Sequence, residues 1–208
     1  MRKNKALIIF AKAPVAGKVK TRLHPHYNTQ QAARIHQQLL EFTVSNLCRL
    51  ADVDVQLHCS PDQSHHFFQY LRAQYKITLN QQSDGDLGEK MSHALFNALL
   101  DYQSVILIGA DVPALDANYV YTAFENLKTN PTVIAPAEDG GYVLVGLTKP
   151  QPTMFDHIEW GSSKVLQQTI DQLSPEIPIL LDTMWDVDRV EDVERFNQLR
   201  AKKYPWLS

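Results

Sequence analysis

Five short segments of the chain carry residues able to do chemistry. The first is Phe10-Ala11-Lys12-Ala13-Pro14-Val15-Ala16-Gly17-Lys18-Val19-Lys20-Thr21-Arg22-Leu23. Lys12, Lys18, Lys20 and Arg22 supply cations, Thr21 a hydroxyl, and Gly17 a backbone able to approach closely. Such groups hold a di- or triphosphate. The segment is not a Walker A loop, because Lys12 and Val19 stand where that motif needs Gly and Ser/Thr. A solvated basic loop would use the same residue types. The second segment is the apolar run Val105–Ile108 followed by Gly109-Ala110-Asp111-Val112-Pro113. A lone carboxylate there suits Mg²⁺ or Mn²⁺ shared with phosphate oxygens, although Asp also starts turns. In the third, Asp186 and Asp188 alternate onto one face. They could complete a metal site, but capping of the following helix is the plainer reading. The fourth, Glu138-Asp139-Gly140-Gly141-Tyr142, offers carboxylates to orient an acceptor and glycines for close approach. A hairpin turn uses the same residues. In the fifth, Gly85 and Gly88 around a helix start leave amides for a nucleobase or sugar, or form an ordinary capped terminus. No Ser-His-Asp signature is present.

Positioning these segments requires strands that end where they begin. Ala6–Phe10 and Val105–Ile108 are continuous apolar runs, as expected of buried parallel strands. Val53–Cys59 alternates, and Ile77–Leu79, Thr132–Ala135, Tyr142–Leu147 and Ile177–Leu181 also read as strands. Between them fall helical periodicities: one capped by Thr29, then Ser64–Gln74, Leu87–Leu99, Asn118–Leu127, one capped by Ser162 or Ser163, and Val190–Leu199. The alternation predicts a three-layer α/β fold with a mainly parallel sheet. The Gly140-Gly141 turn before Tyr142–Leu147 leaves no room for a crossover helix, which predicts one antiparallel strand. One domain over residues 1–208 is expected.

Composition narrows the field. The 208 residues are 44% hydrophobic and 21% charged, which excludes disorder and a disulfide miniprotein. The net charge of −3 hides an asymmetry: residues 1–40 hold eight basic residues, among them Arg2, and no acid before Glu41. The basic loop has no interleaved aromatics and the remainder is acidic, so a nucleic-acid partner is not expected. No apolar run reaches the ~20 residues of a membrane span, and Ala6–Ala11 is too short for a signal peptide. Cys48 and Cys59 read as core thiols of a cytoplasmic protein. The pairs His24/His26 and His65/His66 lack metal-site companions and read as solvated.

Taken in order, FAKAPVAGKVKTRL, GDLGEKM, LIGADVP, APAEDGGYVLVGL, FDHIEWGSSKV and DVDRVEDVERF cover nearly the whole chain. The set resembles the bacterial GT-A-fold glycosyltransferase family linked to arsenosugar biosynthesis, long a domain of unknown function. That family is similar to the guanylyltransferases of phospholactate and molybdenum-cofactor synthesis. The resemblance implies a nucleotide-diphospho-sugar transferase fold, a nucleotide or nucleotide-sugar donor and a small-molecule acceptor. It further implies that Gly17, Lys18, Lys20 and Arg22 face the nucleotide phosphates, with Lys20, Arg22 and Asp111 catalytic. Asp111 and Asp188 match the Mg²⁺ or Mn²⁺ positions, Gly88 the segment lining the nucleoside pocket, and Glu138, Asp139, Gly140, Gly141 and Tyr142 the acceptor side. One departure stands out: where such glycosyltransferases usually carry Asp-x-Asp, this chain has Asp111-Val112-Pro113. The single-Asp form is also typical of nucleotidyltransferases. Glycosyl transfer is the first expectation, nucleotidyl transfer to a small phosphorylated acceptor the second, and nucleotide binding without turnover the third.

Overall fold

A computed structural model describes residues 3–203, so Arg2 lies outside the described residues. Seven strands form one sheet in the order β3-β2-β1-β4-β6-β5-β7. They are β1 (Lys3–Lys12), β2 (Asp54–Ser60), β3 (Thr78–Gln81), β4 (Tyr102–Gly109), β5 (Thr132–Pro136), β6 (Tyr142–Leu147) and β7 (Ile179–Leu180). The helices are α1 (Thr29–Leu47), α2 (His66–Tyr75), α3 (Leu87–Asp101), α4 (Ala117–Asn126), α5 (Val165–Leu173) and α6 (Val190–Lys203). Neighbouring strands run parallel except around β6, which is antiparallel to both β4 and β5. The expected three-layer α/β architecture and its single reversed strand are both present.

The pleat of β1 explains the layers. Leu7 and Ile9 point to one side, where they meet Leu40, Val44, Phe68 and Phe124. Ala6 and Ile8 point to the other, against Met91, Leu95, Leu99 and Leu173. All four strand residues are completely buried, and each large one contributes about 1.5–3 kcal/mol by leaving water. A third cluster joins the outer face of α1 to α6. In it Leu39 and Phe42 pack on Trp185, Val187 and Phe196, with the Phe42 and Phe196 rings edge-on at 5.4 Å. This cluster fixes the strand-like segment that carries Asp186 and Asp188.

Several local expectations change. Asn28, not Thr29, caps α1: its Oδ1 accepts from Gln31 N–H while Gln31 Oε1 accepts from Asn28 N–H, both at 2.9 Å. Neither Ser162 nor Ser163 caps α5, which starts after Lys164 without a side-chain cap; Ser162 Oγ instead accepts from Lys164 N–H at 3.2 Å. His65 is not merely solvated, since its Nδ1 accepts from Phe67 N–H at the start of α2. β7 keeps only Ile179–Leu180, because Pro178 lacks a ladder donor and Ile177 is left exposed. At α6, the carboxylate of Asp192 accepts from Asp188 and Arg189 N–H at 3.1 and 2.8 Å. Capping is therefore done by Asp192, and the Asp188 carboxylate is released for other use. Cys48 and Cys59 are both free thiols. Among the described residues no helix is long and apolar enough to cross a membrane.

Candidate active site

β1 and β4 are parallel neighbours with Phe10 opposite Gly109, so Lys12 and Asp111 leave the sheet side by side. This is the carboxyl edge, where open α/β sheets bind ligands. The loop after β1 is tied down at both ends. Ala13 N–H donates to Ser60 O at 2.8 Å, and Leu23 is completely buried in the third cluster. Between them Lys20 adopts a left-handed backbone (φ 47°, ψ 44°) before the 3₁₀ turn Thr21–Leu23. That kink turns its side chain inward, leaving it only 6% exposed.

Lys20 Nζ donates to Asp111 Oδ2 at 2.7 Å and to Asp188 Oδ1 at 3.2 Å. Arg22 Nη1 donates to the other Asp188 oxygen. Two backbone contacts carry the Asp186–Asp188 segment to this place: Val187 N–H donates to Asp111 O at 3.0 Å, and Met184 N–H to Pro136 O at 2.9 Å. Gly109 completes the fit, since a Cβ there would stand 2.8 Å from Asp111 Oδ1. The result is a trio, Asp111, Asp186 and Asp188, offering one oxygen each within 4.8 Å of one another. A set of carboxylate oxygens at this spacing fits a hard divalent cation.

The electrostatics follow from the crowding. Burial pushes the Asp186 carboxyl up, and the neighbouring Asp111 and Asp188 push it further, to about 7. Burial works against charge on Asp111 too, but the Lys20 ammonium outweighs it and holds that carboxyl below its ordinary value. For Lys20, burial disfavours the cation while Asp111 and Asp188 more than restore it. His36 on α1 lies alongside, its Nε2 2.9 Å from Lys12 O and its buried Nδ1 without a partner. Burial lowers the pKa of this imidazole, favouring its neutral form.

Three cavities meet at the aspartates. The largest, about 540 Å³, is a cleft lined by Lys12, Lys18, Lys20 and Arg22 on one wall and by Phe10 and Gln82 on another. A second, about 200 Å³, has walls of Leu87, Met91, Tyr142, Val143 and Trp160. A third, about 220 Å³, lies between Glu138, Trp185 and Arg189. Asp111 borders the first and second, Asp186 the second and third, and Asp188 the first and third.

The structure brings most of the expected residues to these cavities, with three exceptions. Gly17 lies exposed in its turn at φ 78° rather than on the cleft wall. Gly88 is buried beneath Trp160 and Phe155, where a Cβ would stand 3.0–3.1 Å from both; it seats the aromatic wall and does not line the cleft. Gly140, at φ 91°, packs on the backbone of Ser163, where a Cβ would come within 2.4 Å of that carbonyl. Asp139, Gly141 and Tyr142 line the second cavity and Glu138 the third, Glu138 also pairing with Arg195 at 3.2 Å. Asp186 emerges as the third member of the trio, a role its alternation with Asp188 foreshadows. Trp160, His36 and Gln82 were not singled out by residue type; Trp160 at least lies within one of the six ordered segments.

The sheet order, the single reversed strand and a cleft at the switch between β1 and β4 define the fold of nucleotide-diphospho-sugar transferases. A model of the DUF2064 family, described as "Uncharacterized protein conserved in bacteria", matches residues 43–162. The chain belongs to this family. No curated protein matches it. The crystal structure of a "putative nucleotide-diphospho-sugar transferase" from Desulfovibrio desulfuricans G20 is similar, with 30% identity and a TM-score of 0.84 over 96% of this chain and 88% of that one. The 4-diphosphocytidyl-2C-methyl-D-erythritol synthase of Anaerococcus prevotii shares the fold at 12% identity and a TM-score of 0.66, over 95% and 98% of the two chains. So does a CMP:2-keto-3-deoxy-manno-octonic acid synthetase complexed with CTP, at 9% identity and a TM-score of 0.61, over 96% and 99%.

Proposed function

We propose that this chain is a glycosyltransferase that takes a nucleotide sugar as donor and transfers the sugar to a small hydroxylated acceptor. The observation that carries this reading is the junction itself: a cationic cleft, a carboxylate trio and a separate partly apolar cavity share their borders. The relative at 30% identity, whose description is a nucleotide-diphospho-sugar transferase, supports it.

In this reading the donor's diphosphate lies along Lys12, Lys18, Lys20 and Arg22. Asp111, Asp186 and Asp188 would hold Mg²⁺ or Mn²⁺. Such an ion supplies charge neutralisation to a diphosphate leaving group. Lys20 and Arg22 add preorganised positive charge at the same place. The acceptor oxygen forms a bond to the anomeric carbon. The bond from that carbon to the β-phosphate oxygen breaks, and its electron pair leaves with the nucleoside diphosphate. The acceptor's proton passes to solvent or to a carboxylate at the junction. No nucleophilic Ser or Cys is required, and Cys59 is unsuited because burial pushes its thiol up to about 12.

Thermal-shift screening with nucleotide sugars and nucleoside triphosphates, each with and without Mn²⁺, tests the proposal. A Mn²⁺-dependent rise with a nucleotide sugar, and its consumption by the wild type but not by Asp111→Asn, is the expected result. A triphosphate that is bound and consumed instead makes the enzyme a nucleotidyltransferase. Binding without consumption makes it a nucleotide-binding module, and no stabilisation by any nucleotide refutes the reading.

A further inference from the structure

The second cavity bears on which molecule accepts the transferred group, given the reading just proposed. Its walls combine two features. One is an aromatic and aliphatic surface: Trp160 stands edge-on to Tyr142 at 6.5 Å and tilted to Phe155 at 6.4 Å, with Leu87, Met91 and Val143 beside it. Gly88 permits this seat, since any side chain there would meet the Trp160 and Phe155 contacts. Trp160 is nonetheless only half-buried, so ring surface remains open to the cavity. The other feature is charge of one sign. The carboxylates of Asp111, Asp139 and Asp186 border the cavity, and among the described residues no Lys, Arg or His lines it.

The cleft on the other side of Asp111 is the reverse, with Lys12, Lys18, Lys20 and Arg22 all on its wall. Charge is thus segregated across the junction. A phosphorylated acceptor in the second cavity would meet three acidic side chains, of which Asp111 is already paired with Lys20, and no cation on the wall to pair its phosphate, and like-charge juxtaposition is unfavourable. A divalent ion at the trio does not change this, because the donor's own phosphates take up its charge. An uncharged ring bearing hydroxyls fits both features. Its apolar face covers Trp160, and its hydroxyls hydrogen-bond the side-chain oxygens of Asp139 and Asp186.

We infer that the acceptor is an uncharged, hydroxyl-rich molecule with an apolar ring face, and that phosphorylated acceptors are excluded by the cavity between Trp160 and Asp139. The test is isothermal titration calorimetry in Mg²⁺ and saturating nucleoside diphosphate. The probes are methyl α-glucopyranoside and glucose 6-phosphate. The neutral glycoside should bind at least tenfold more tightly, and Trp160→Ala should remove its binding while preserving the thermal shift given by the nucleotide. Glucose 6-phosphate binding equally or better overturns the inference, as does failure of both probes to bind or glycoside binding that survives in Trp160→Ala. The nucleotide-only thermal shift separates these outcomes from failure of the donor reading, since that shift requires the cleft and not the second cavity.

Discussion

Replacing Asp186 with Asn should stabilise the metal-free protein, and only above mildly acidic pH. The Asp186 carboxyl titrates near 7 in the fold against an ordinary value of 3.8, raised by its burial and by Asp111 and Asp188. Between those two values the folded chain holds a proton that the unfolded chain has lost. Stability from this group is therefore complete below about pH 4, falls as pH rises, and levels off above about pH 7. The full difference corresponds to about 4 kcal/mol. Partial exposure and the nearby Lys20 reduce what is realised, and we expect about 2 kcal/mol. For a chain of this length that raises Tm by roughly 4–8 °C. Differential scanning fluorimetry in EDTA from pH 4 to pH 9 measures it. Wild type and Asp186→Asn should coincide near pH 4 and separate progressively to pH 8. Added Mg²⁺ should then raise the wild-type Tm more than the variant's, because the variant offers one ionised ligand fewer. A Tm difference that is independent of pH, or a destabilised variant at pH 8, refutes the electrostatic account of the trio.

Three further outcomes follow from the same geometry. Lys20→Met removes the cation between Asp111 and Asp188; it should cost about 2 kcal/mol by chemical denaturation without metal, less than a buried pair because the Asp111 side chain keeps 32% exposure, and Mg²⁺ should recover part of the loss. Gly140→Ala places a Cβ against the Ser163 carbonyl at a backbone angle of φ 91°, so a loss of about 2 kcal/mol is expected from strain and displacement, measured as a fall in the denaturation midpoint. In the native protein Cys48 should react with a thiol reagent well before Cys59, which is buried and held up to about 12; equal rates would contradict the packing of β2.

Much of the fold was legible because burial and period agree. Ala6–Phe10 and Val105–Ile108 read as central strands since β1 and β4 are covered on both faces, and Gly140-Gly141 announced the reversal at β6. The misses lie where local signals compete. Asn28 and Thr29 are adjacent cap candidates, and only Gln31 completing the reciprocal pair selects Asn28. Asp188 looked like a helix cap because Asp192, four residues later, does that work through the same backbone amides. Among the candidate site residues, Lys20, Arg22 and Asp111 stood out by residue type and by their place after apolar strands, whereas Asp188 entered as a metal position, rather than a helix cap, only through the family resemblance. Gly88 and Gly140 are held small by their neighbours, Trp160 and Phe155 at the one and the Ser163 backbone at the other. A sequence shows that a position must be small but not which neighbour makes it so.

The charge asymmetry of the chain acquires a structural meaning at Lys20. Of the early basic residues, Lys3 pairs with Asp54 at 2.7 Å and Lys5 lies over the Phe124 ring at 5.4 Å, so both serve the sheet. Lys12, Lys18, Lys20 and Arg22 instead form one wall of the cleft, on a segment that has no acid of its own. The acids arrive from β4 and from the segment before α6, on the far side of the junction. Lys20 is the contact between the two populations, and its ammonium already occupies two of the three aspartates. Three crowded carboxylates would repel one another in a metal-free protein. The Lys20 ion pairs, together with the elevated Asp186 carboxyl, neutralise most of that repulsion without an ion. The same contact makes metal entry a competition with Lys20. A donor diphosphate offers Lys20 an alternative anion within the cleft, so metal and donor should bind cooperatively: each vacates or fills a partner the other needs. Mg²⁺ affinity measured with and without nucleoside diphosphate should therefore differ severalfold in the wild type. In Lys20→Met, where no ammonium competes, that coupling should shrink, and an undiminished coupling would show that Lys20 plays no part in it.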